Sequence, residues 1–351
     1  MHLGRSLGVL AALLVTSSFP FPVASQESVE SKYLSNVRQV TKGFAKAGEG
    51  YFSPDAKTIV YQAIRTEYPF YQIYRQPLAG GQPKLVSTGR GRTTCSYFSP
   101  DGRRLLFASG HTDPRLDKTE AAAIRQQEED RKSGRRRRYQ WDFDPHMDIY
   151  ETDLSGNILR RLTNAKGYDA EGAYSYDGQW IAFCSDRDGD PDLYLMRSDG
   201  SSLKQLTNAP GYDGGPFISP DGKWIVYRSD RERKDYLQIH VIGIDGQNDV
   251  ALTADEGVNW GPYWHPTEPY IIWSGADHSD PTRRPNYDLW IVRYQVSGGV
   301  FTCSTKTRIT DSPSADVLPV FSPNGKQLMW TSTRTENRSS QLFIADFRFP
   351  N

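Results

Sequence analysis

The chain has 351 residues, 42 basic against 42 acidic, and a formal net charge of zero, which excludes a global field drawing it to nucleic acid or an anionic membrane. Its three cysteines, Cys95, Cys184 and Cys303, are too few for a disulfide framework; an exported chain has the means to oxidise one pair, but they are expected as small packed hydrophobes. The 20 Tyr, 15 Phe and 8 Trp against 4 Met, with 30 Gly and 22 Pro, make an all-β profile of pleated sheets and frequent turns.

The chain opens on Arg5, an apolar run over residues 7–15 and small residues at Val23, Ala24 and Ser25. That is the pattern of a secretory signal peptide over residues 1–25, with a mature start near Gln26. The run is shorter than the roughly 20 residues of a membrane span, and neither a lipoprotein cysteine nor a twin arginine accompanies it. The expected product is a soluble domain of residues 26–351, periplasmic or secreted after cleavage of the leader.

Six copies of a turn motif follow, at Ser53-Pro54-Asp55, Ser99-Pro100-Asp101-Gly102, Ser175-Tyr176-Asp177-Gly178, Ser219-Pro220-Asp221-Gly222, His265-Pro266-Thr267 and Ser322-Pro323-Asn324-Gly325. Their spacings are 46, 76, 44, 46 and 57 residues, a repeat of about 45 with two insertions. Ser or Asn accepts backbone hydrogen bonds, Pro presets φ and Gly takes the left-handed position, so each copy is a tight hairpin. Aromatic pairs such as Tyr97-Phe98 precede the turn and apolar runs such as Trp224-Ile225-Val226-Tyr227 follow it, which predicts the first two strands of a unit. A third strand begins with a polar residue, as in Asp192-Leu193-Tyr194, and a fourth ends in an apolar residue plus Thr or Ser, as in Leu206-Thr207.

Only five fourth strands follow in order, and the sixth pattern sits near the beginning, at Val37-Arg38-Gln39-Val40-Thr41. The expectation is a six-bladed β-propeller of four-stranded antiparallel blades, its last blade closed by the amino-terminal strand so that no sheet edge is left open. The turn, the Ser185-Asp186-Arg187-Asp188-Gly189 loop, the Asp-apolar-Tyr strand and the Leu-Thr ending together resemble the WD40-like (PD40) β-propeller repeats of the TolB-like proteins, over about residues 35–347. The resemblance implies an exported protein working with partners in the cell envelope. TolB-like proteins carry an α/β domain ahead of the propeller; here almost nothing separates the leader from the first blade, so a propeller-only member is expected.

The second repeat holds an insertion at about residues 110–145. The stretch from Asp117 to Arg131 predicts a helix, and Arg135 to Arg138 make a basic cluster beside Tyr139 and Trp141, read as a solvated run rather than a nucleic-acid contact. A long insertion in one blade reads as a lid or docking arm.

In this topology the crossing loops and the loops between second and third strands share one face of the ring. Glu49, Asp169, Glu171, Asp213, Asn259 and Asp316 fall within six residues before their turns and are expected to rim the channel there, with Arg187 beside them. His111, His146 and His278 lie on loops of the same face. Imidazole with carboxylates suits one divalent metal ion, although the short spacing of a strong metal motif is absent. The alternative is that these residues cap turns and that Asp186-Arg187 and Asp230-Arg231 are ion pairs locking blade to blade.

Two functions remain. The first is a monomeric, non-catalytic scaffold without a cofactor, binding an envelope protein or glycan. The second rests on a resemblance to oligogalacturonate lyases and makes the chain a metal-dependent polysaccharide lyase, with the three histidines on the ion and Arg187 on sugar carboxylates. A serine peptidase is the least favoured reading, since no Gly-x-Ser-x-Gly elbow lies in residues 26–351.

Overall fold

The computed structural model describes residues 28–135, 143–280 and 282–350. The leader, Arg136 to Arg138, Tyr139 and Trp141 lie outside the described residues. Six antiparallel sheets form the blades of a propeller. Blade 1 comprises Lys46–Phe52, Thr58–Ile64, Gln72–Pro77 and Lys84–Leu85; blade 2 comprises Thr93–Phe98, Arg104–Ser109, Asp148–Asp153 and Ile158–Arg161. Blade 3 is Asp169–Tyr174, Trp180–Ser185, Asp192–Arg197 and Lys204–Gln205, and blade 4 is Asp213–Ile218, Trp224–Ser229, Gln238–Gly243 and Val250–Ala251. Blade 5 uses Gly257–Trp264, Tyr270–Asp277 and the long Asp288–Ser297, whose inner half pairs with Thr307–Arg308 and whose outer half pairs with an extra strand, Val300–Cys303.

Blade 6 joins the two ends of the chain. Asp316–Phe321, Gln327–Ser332 and Gln341–Phe347 are completed by Leu34–Gln39, with Leu34 opposite Phe347 and Gln39 opposite Phe343. The strand begins three residues earlier than the sequence pattern, and Thr41 plays the part of its Leu-Thr ending. In every blade a Thr or Ser hydroxyl accepts the N–H of the second residue of the third strand: Ser87 from Ile73, Thr163 from Ile149, Thr207 from Leu193, Thr253 from Ile239, Thr310 from Leu289, and Thr41 from Leu342, all at 2.8–3.0 Å. This repeated bond explains the Thr, because Val would fill the same space and leave the N–H unpaired.

The hairpin chemistry is as the motif predicts. The Ser53 hydroxyl donates to Asp55 (2.6 Å) and accepts from the Thr58 N–H (3.0 Å), and Ser175, Ser219 and Ser322 repeat the arrangement. In blade 5 His265 stands in for Ser, its Nδ1 accepting from the Glu268 N–H at 3.0 Å. Gly102, Gly178, Gly222 and Gly325 take the left-handed position at φ +67 to +72°; in blade 1 that position holds Ala56 at φ +55°.

The apolar core lies between neighbouring blades. Trp224, Val226, Ile239 and Val241 of blade 4 pack on Trp264, Ile271 and Trp273 of blade 5, and Leu193 and Leu195 of blade 3 pack on Ile225 and Tyr227 of blade 4. Burial of each such side chain contributes about 1.5–3 kcal/mol. All three cysteines are free, with Cys95 and Cys184 buried. Helix α1 (Val29–Tyr33) precedes the closing strand, and helix α2 (Leu116–Ser133) matches the helix predicted in the insertion. Among the described residues no helix is long and apolar enough to cross a membrane.

Candidate functional site

The innermost strand of every blade carries a bulge at one repeated position, held by Glu49, Cys95, Glu171, Gly215, Gly261 and Leu318, all at φ between +48 and +61°. A bulge sharpens the twist and re-aims the side chain that carries it. These six residues therefore form one layer around the axis and line a cavity of about 510 Å³, counting its open mouth. The enclosed part has room for about two water molecules. Two residues further toward the hairpins, Tyr51, Tyr97, Phe217 and Tyr263 close the channel. Their ring centroids lie 5.0–6.3 Å apart, and the Tyr97 and Tyr263 hydroxyls meet at 3.0 Å. The channel is thus a blind pit opening on the crossing-loop face.

Two carboxylates of the layer behave differently. Glu171 is 5% exposed and accepts from the Tyr168 hydroxyl (3.1 Å), the Tyr212 hydroxyl (2.7 Å), the Gly215 N–H and Arg228 Nη2 (3.1 Å). Arg228 also donates to the Tyr212 hydroxyl at 2.7 Å. Glu49 is half-buried and has no ion-pair partner among the described residues. The Tyr51 hydroxyl donates to its carboxylate at 3.5 Å, and its backbone N–H donates to the Thr331 hydroxyl at 3.0 Å. Burial pushes its carboxyl up to about 7, aided by the Glu171 charge and opposed by the Cys95 thiol, Arg228 and Tyr51. Burial likewise pushes the Cys95 thiol well above its ordinary range.

Asp169, Asp213 and Asp316 sit two residues before the bulge and are not among the residues lining the cavity. Each is buried and paired within its own blade: Asp169 with Arg187 (2.8 Å), Asp213 with Arg231 (2.6 Å) and Asp316 with Arg334 (2.6 Å). Arg187 therefore engages Asp169 rather than its chain neighbour Asp186, which accepts from the Tyr168 N–H; Asp230 accepts from the Tyr212 N–H in the same way. Asn259, the equivalent residue in blade 5, hydrogen-bonds Gln238 and Asp255.

These aspartates also meet the preceding blade. Where a third strand opens with Gln, as at Gln72, Gln238 and Gln341, the amide donates to a backbone carbonyl of the next blade. Where it opens with Asp, at Asp148, Asp192 and Asp288, the next blade supplies Asp169, Asp213 and Asp316, whose charges add to the effect of burial and raise the pKa. Arg161 and Arg308 offset this at Asp148 and Asp288. Gln205 holds their place beside Asp192, and burial with Asp188, Asp213 and Asp190 takes that carboxyl to about 7.

The three histidines are not brought together. His111 contacts Ser109 at 3.0 Å and lies tilted against the Tyr150 ring, His146 lies 3.4 Å from Asp113, and His278 lies 3.4 Å from the Tyr287 hydroxyl. Burial, with Arg161, lowers the His111 pKa. Among the described residues no three His, Cys, Asp or Glu side chains form a group able to hold a metal ion. The residues present therefore do not fit a histidine-held ion.

Helix α2 stands on the channel face. Its foot is pinned by Glu120, which accepts from the Tyr68 hydroxyl, the Gly91 N–H (3.0 Å) and Arg90 (2.6 Å). None of its residues is buried. Beyond it Phe143 packs 5.1 Å from the Tyr168 ring and 5.8 Å from that of Tyr212.

The sequence pattern gives Cys95 as a small packed hydrophobe and Tyr97 as a strand aromatic, and it assigns no channel role to Arg228, Cys95 or the aromatic floor. The signal was there: the bulge layer lies four residues before each turn motif and the floor two before, whereas the paired aspartates lie six before.

No family model matches the chain. A protein TolB homologue of Chlorobium luteolum is 29% identical over 133 residues, which cover 35% of this chain and 30% of that protein. The alignment thus spans under a third of this curated relative. Among solved structures, putative TolB from Agrobacterium tumefaciens superposes with a TM-score of 0.55 at 20% identity, covering 87% of this chain and 91% of that one. TolB from Acinetobacter baumannii gives 0.53 at 20% identity, covering 88% and 65%. Oligogalacturonate lyase from Vibrio parahaemolyticus gives 0.52 at 13% identity, covering 88% and 93%. At these identities the structures share the fold, and the likeness in both sequence and structure is to TolB-like propellers.

Proposed function

We propose that the protein is an exported, non-catalytic propeller scaffold of the TolB-like kind that binds a protein or glycan partner in the cell envelope through its channel face. The observation that carries this reading is helix α2. Eighteen residues without one buried side chain add no core, so the helix persists through its Ala, Gln and Glu propensity and its pinned foot. A structured arm that contributes nothing to the ring is what a docking surface requires. The arrangement of carboxylates agrees with binding rather than chemistry: Asp169, Asp213 and Asp316 are committed to arginines, and Glu171 has its full complement of donors.

The test places a photo-crosslinking side chain at Ile124 on the arm, and at Tyr176 on the hairpin face as control, in the mature protein expressed in its own host. Both positions are exposed. Scaffold binding predicts a discrete envelope adduct from position 124 and none from 176. Equal labelling of both faces, or none, would sink the proposal. So would release of unsaturated sugar by purified protein given oligogalacturonate and Mn²⁺.

A further inference from the structure

We infer that the blind channel is a seat for a primary ammonium group, brought by the partner as a lysine side chain or a free amino terminus, with Glu49 as its counter-ion. This rests on the scaffold reading above and names the chemistry that the channel face recognises.

Charge is the first reason. The groups facing the pit are Glu49, Glu171, Arg228, the Cys95 thiol and the Tyr51 hydroxyl, with Tyr71 and Tyr212 beside them. Burial holds the thiol and the three phenols in their neutral forms. Arg228 and Glu171 are joined at 3.1 Å, so an ionised Glu49 leaves the cluster with one uncompensated negative charge. Burying such a charge is costly, and the protein alone meets the cost by holding a proton on Glu49 near neutrality. A cation of the right size replaces that proton.

Size and surface select the cation. Room for about two waters excludes a sugar ring from the enclosed part and admits a group the size of ammonium. The floor is made of the rings of Tyr51, Tyr97, Phe217 and Tyr263, whose faces attract a cation. Among the described residues no three His, Cys, Asp or Glu side chains form a group able to hold a multidentate metal. A guanidinium is wider, and Arg228 already occupies the wall. An ammonium on an alkyl stem fits, since the stem passes the apolar Leu318 at the wall.

The experiment titrates the mature protein with n-butylammonium, and with n-butanol as the uncharged analogue, by calorimetry at pH 6 and pH 8. Binding requires Glu49 to be ionised, so affinity for the amine is expected to rise roughly tenfold between those values. Glu49→Gln is expected to lose at least about tenfold in affinity, because the charge goes while a hydrogen-bonding side chain of the same length stays. Its melting temperature confirms that the ring is intact. An acetylated, amidated tetrapeptide with one Lys and a triglycine amide with a free amino terminus distinguish the two sources, and the tighter binder identifies which the pit accepts. Equal binding of butylammonium and butanol, pH-independent binding, or unimpaired binding by Glu49→Gln overturns the assignment. Crosslinking at position 124 is scored separately: adducts that persist without amine binding refute the seat and leave the scaffold, whereas amine binding without adducts refutes the scaffold.

Discussion

Thr41→Val tests the closure of the ring by removing one oxygen. Thr41 is fully buried; its hydroxyl donates to Gln341 Oε1 at 2.8 Å and accepts from the Leu342 N–H at 2.9 Å. Val keeps the shape and leaves two buried groups without these partners, each costing about 1–3 kcal/mol. Both groups, Gln341 Oε1 and the Leu342 N–H, are neutral, so the lower part of the range applies and the total is about 2–4 kcal/mol. For a domain of this size that is a fall in melting temperature of about 4–8 °C. Urea unfolding followed by tryptophan fluorescence reads the difference, with Thr163→Val as reference. Thr163 makes the same bonds to the Ile149 N–H (2.9 Å) and Asp148 (3.2 Å) inside a blade whose strands are consecutive in the chain. If the ends are joined as described, both variants lose comparable stability. A Thr41→Val protein that unfolds like wild type while Thr163→Val is weakened would refute the closure.

Three further outcomes follow from the same geometry. Glu171→Gln puts an NH2 where Oε1 accepts from the Tyr168 and Tyr212 hydroxyls and leaves the Arg228 charge buried without its carboxylate, which should cost about 3–5 kcal/mol in urea unfolding. Asp192 has a folded-state pKa of about 7, above its unfolded value, so the native state holds the extra proton and stability falls as pH rises from about 4 to 7. Asp192→Asn should abolish this and leave the variant more stable than wild type at pH 8, by on the order of 1 kcal/mol after solvent screening from the adjoining loop; an unchanged stability profile against pH would refute the raised pKa of Asp192. Ala56→Gly relieves a left-handed Ala and should raise stability by about 0.5–1 kcal/mol, where a loss would show that the hairpin of blade 1 is not built like the others.

The repeat itself was legible because each of its marks answers a local need. Ser-Pro-Asp-Gly makes the hairpin wherever it occurs, an aromatic or apolar run makes the strand beside it, and the closing Thr is set by one hydrogen bond to the third strand. The missing sixth ending at Thr41 was visible for the same reason, and the register of Leu34–Gln39 against Gln341–Phe347 bears it out. The extra strand Val300–Cys303 was not, since its Val-Phe-Thr-Cys carries no turn motif of its own and pairs only because Asp288–Ser297 runs on past the blade.

The site was legible only as a set of acidic residues at the right end of the right strand. Alternation along a strand places residues six, four and two before the turn on one side, so Asp169 and Glu171, or Asp213 and Gly215, look equivalent in sequence. The bulge at the fourth position breaks that equivalence. It turns Glu49 and Glu171 toward the axis and leaves Asp169, Asp213 and Asp316 facing their arginines. The distance from the turn motif marks where the bulge lies, but a left-handed Glu, Cys or Leu has no residue signature of its own, because only the packing of six strands around an axis forces it. Local hydrogen bonding thus determined the blades and their number from the sequence alone, while the choice of which carboxylates meet the channel belonged to the tertiary structure, where six backbones converge too closely for regular pleating.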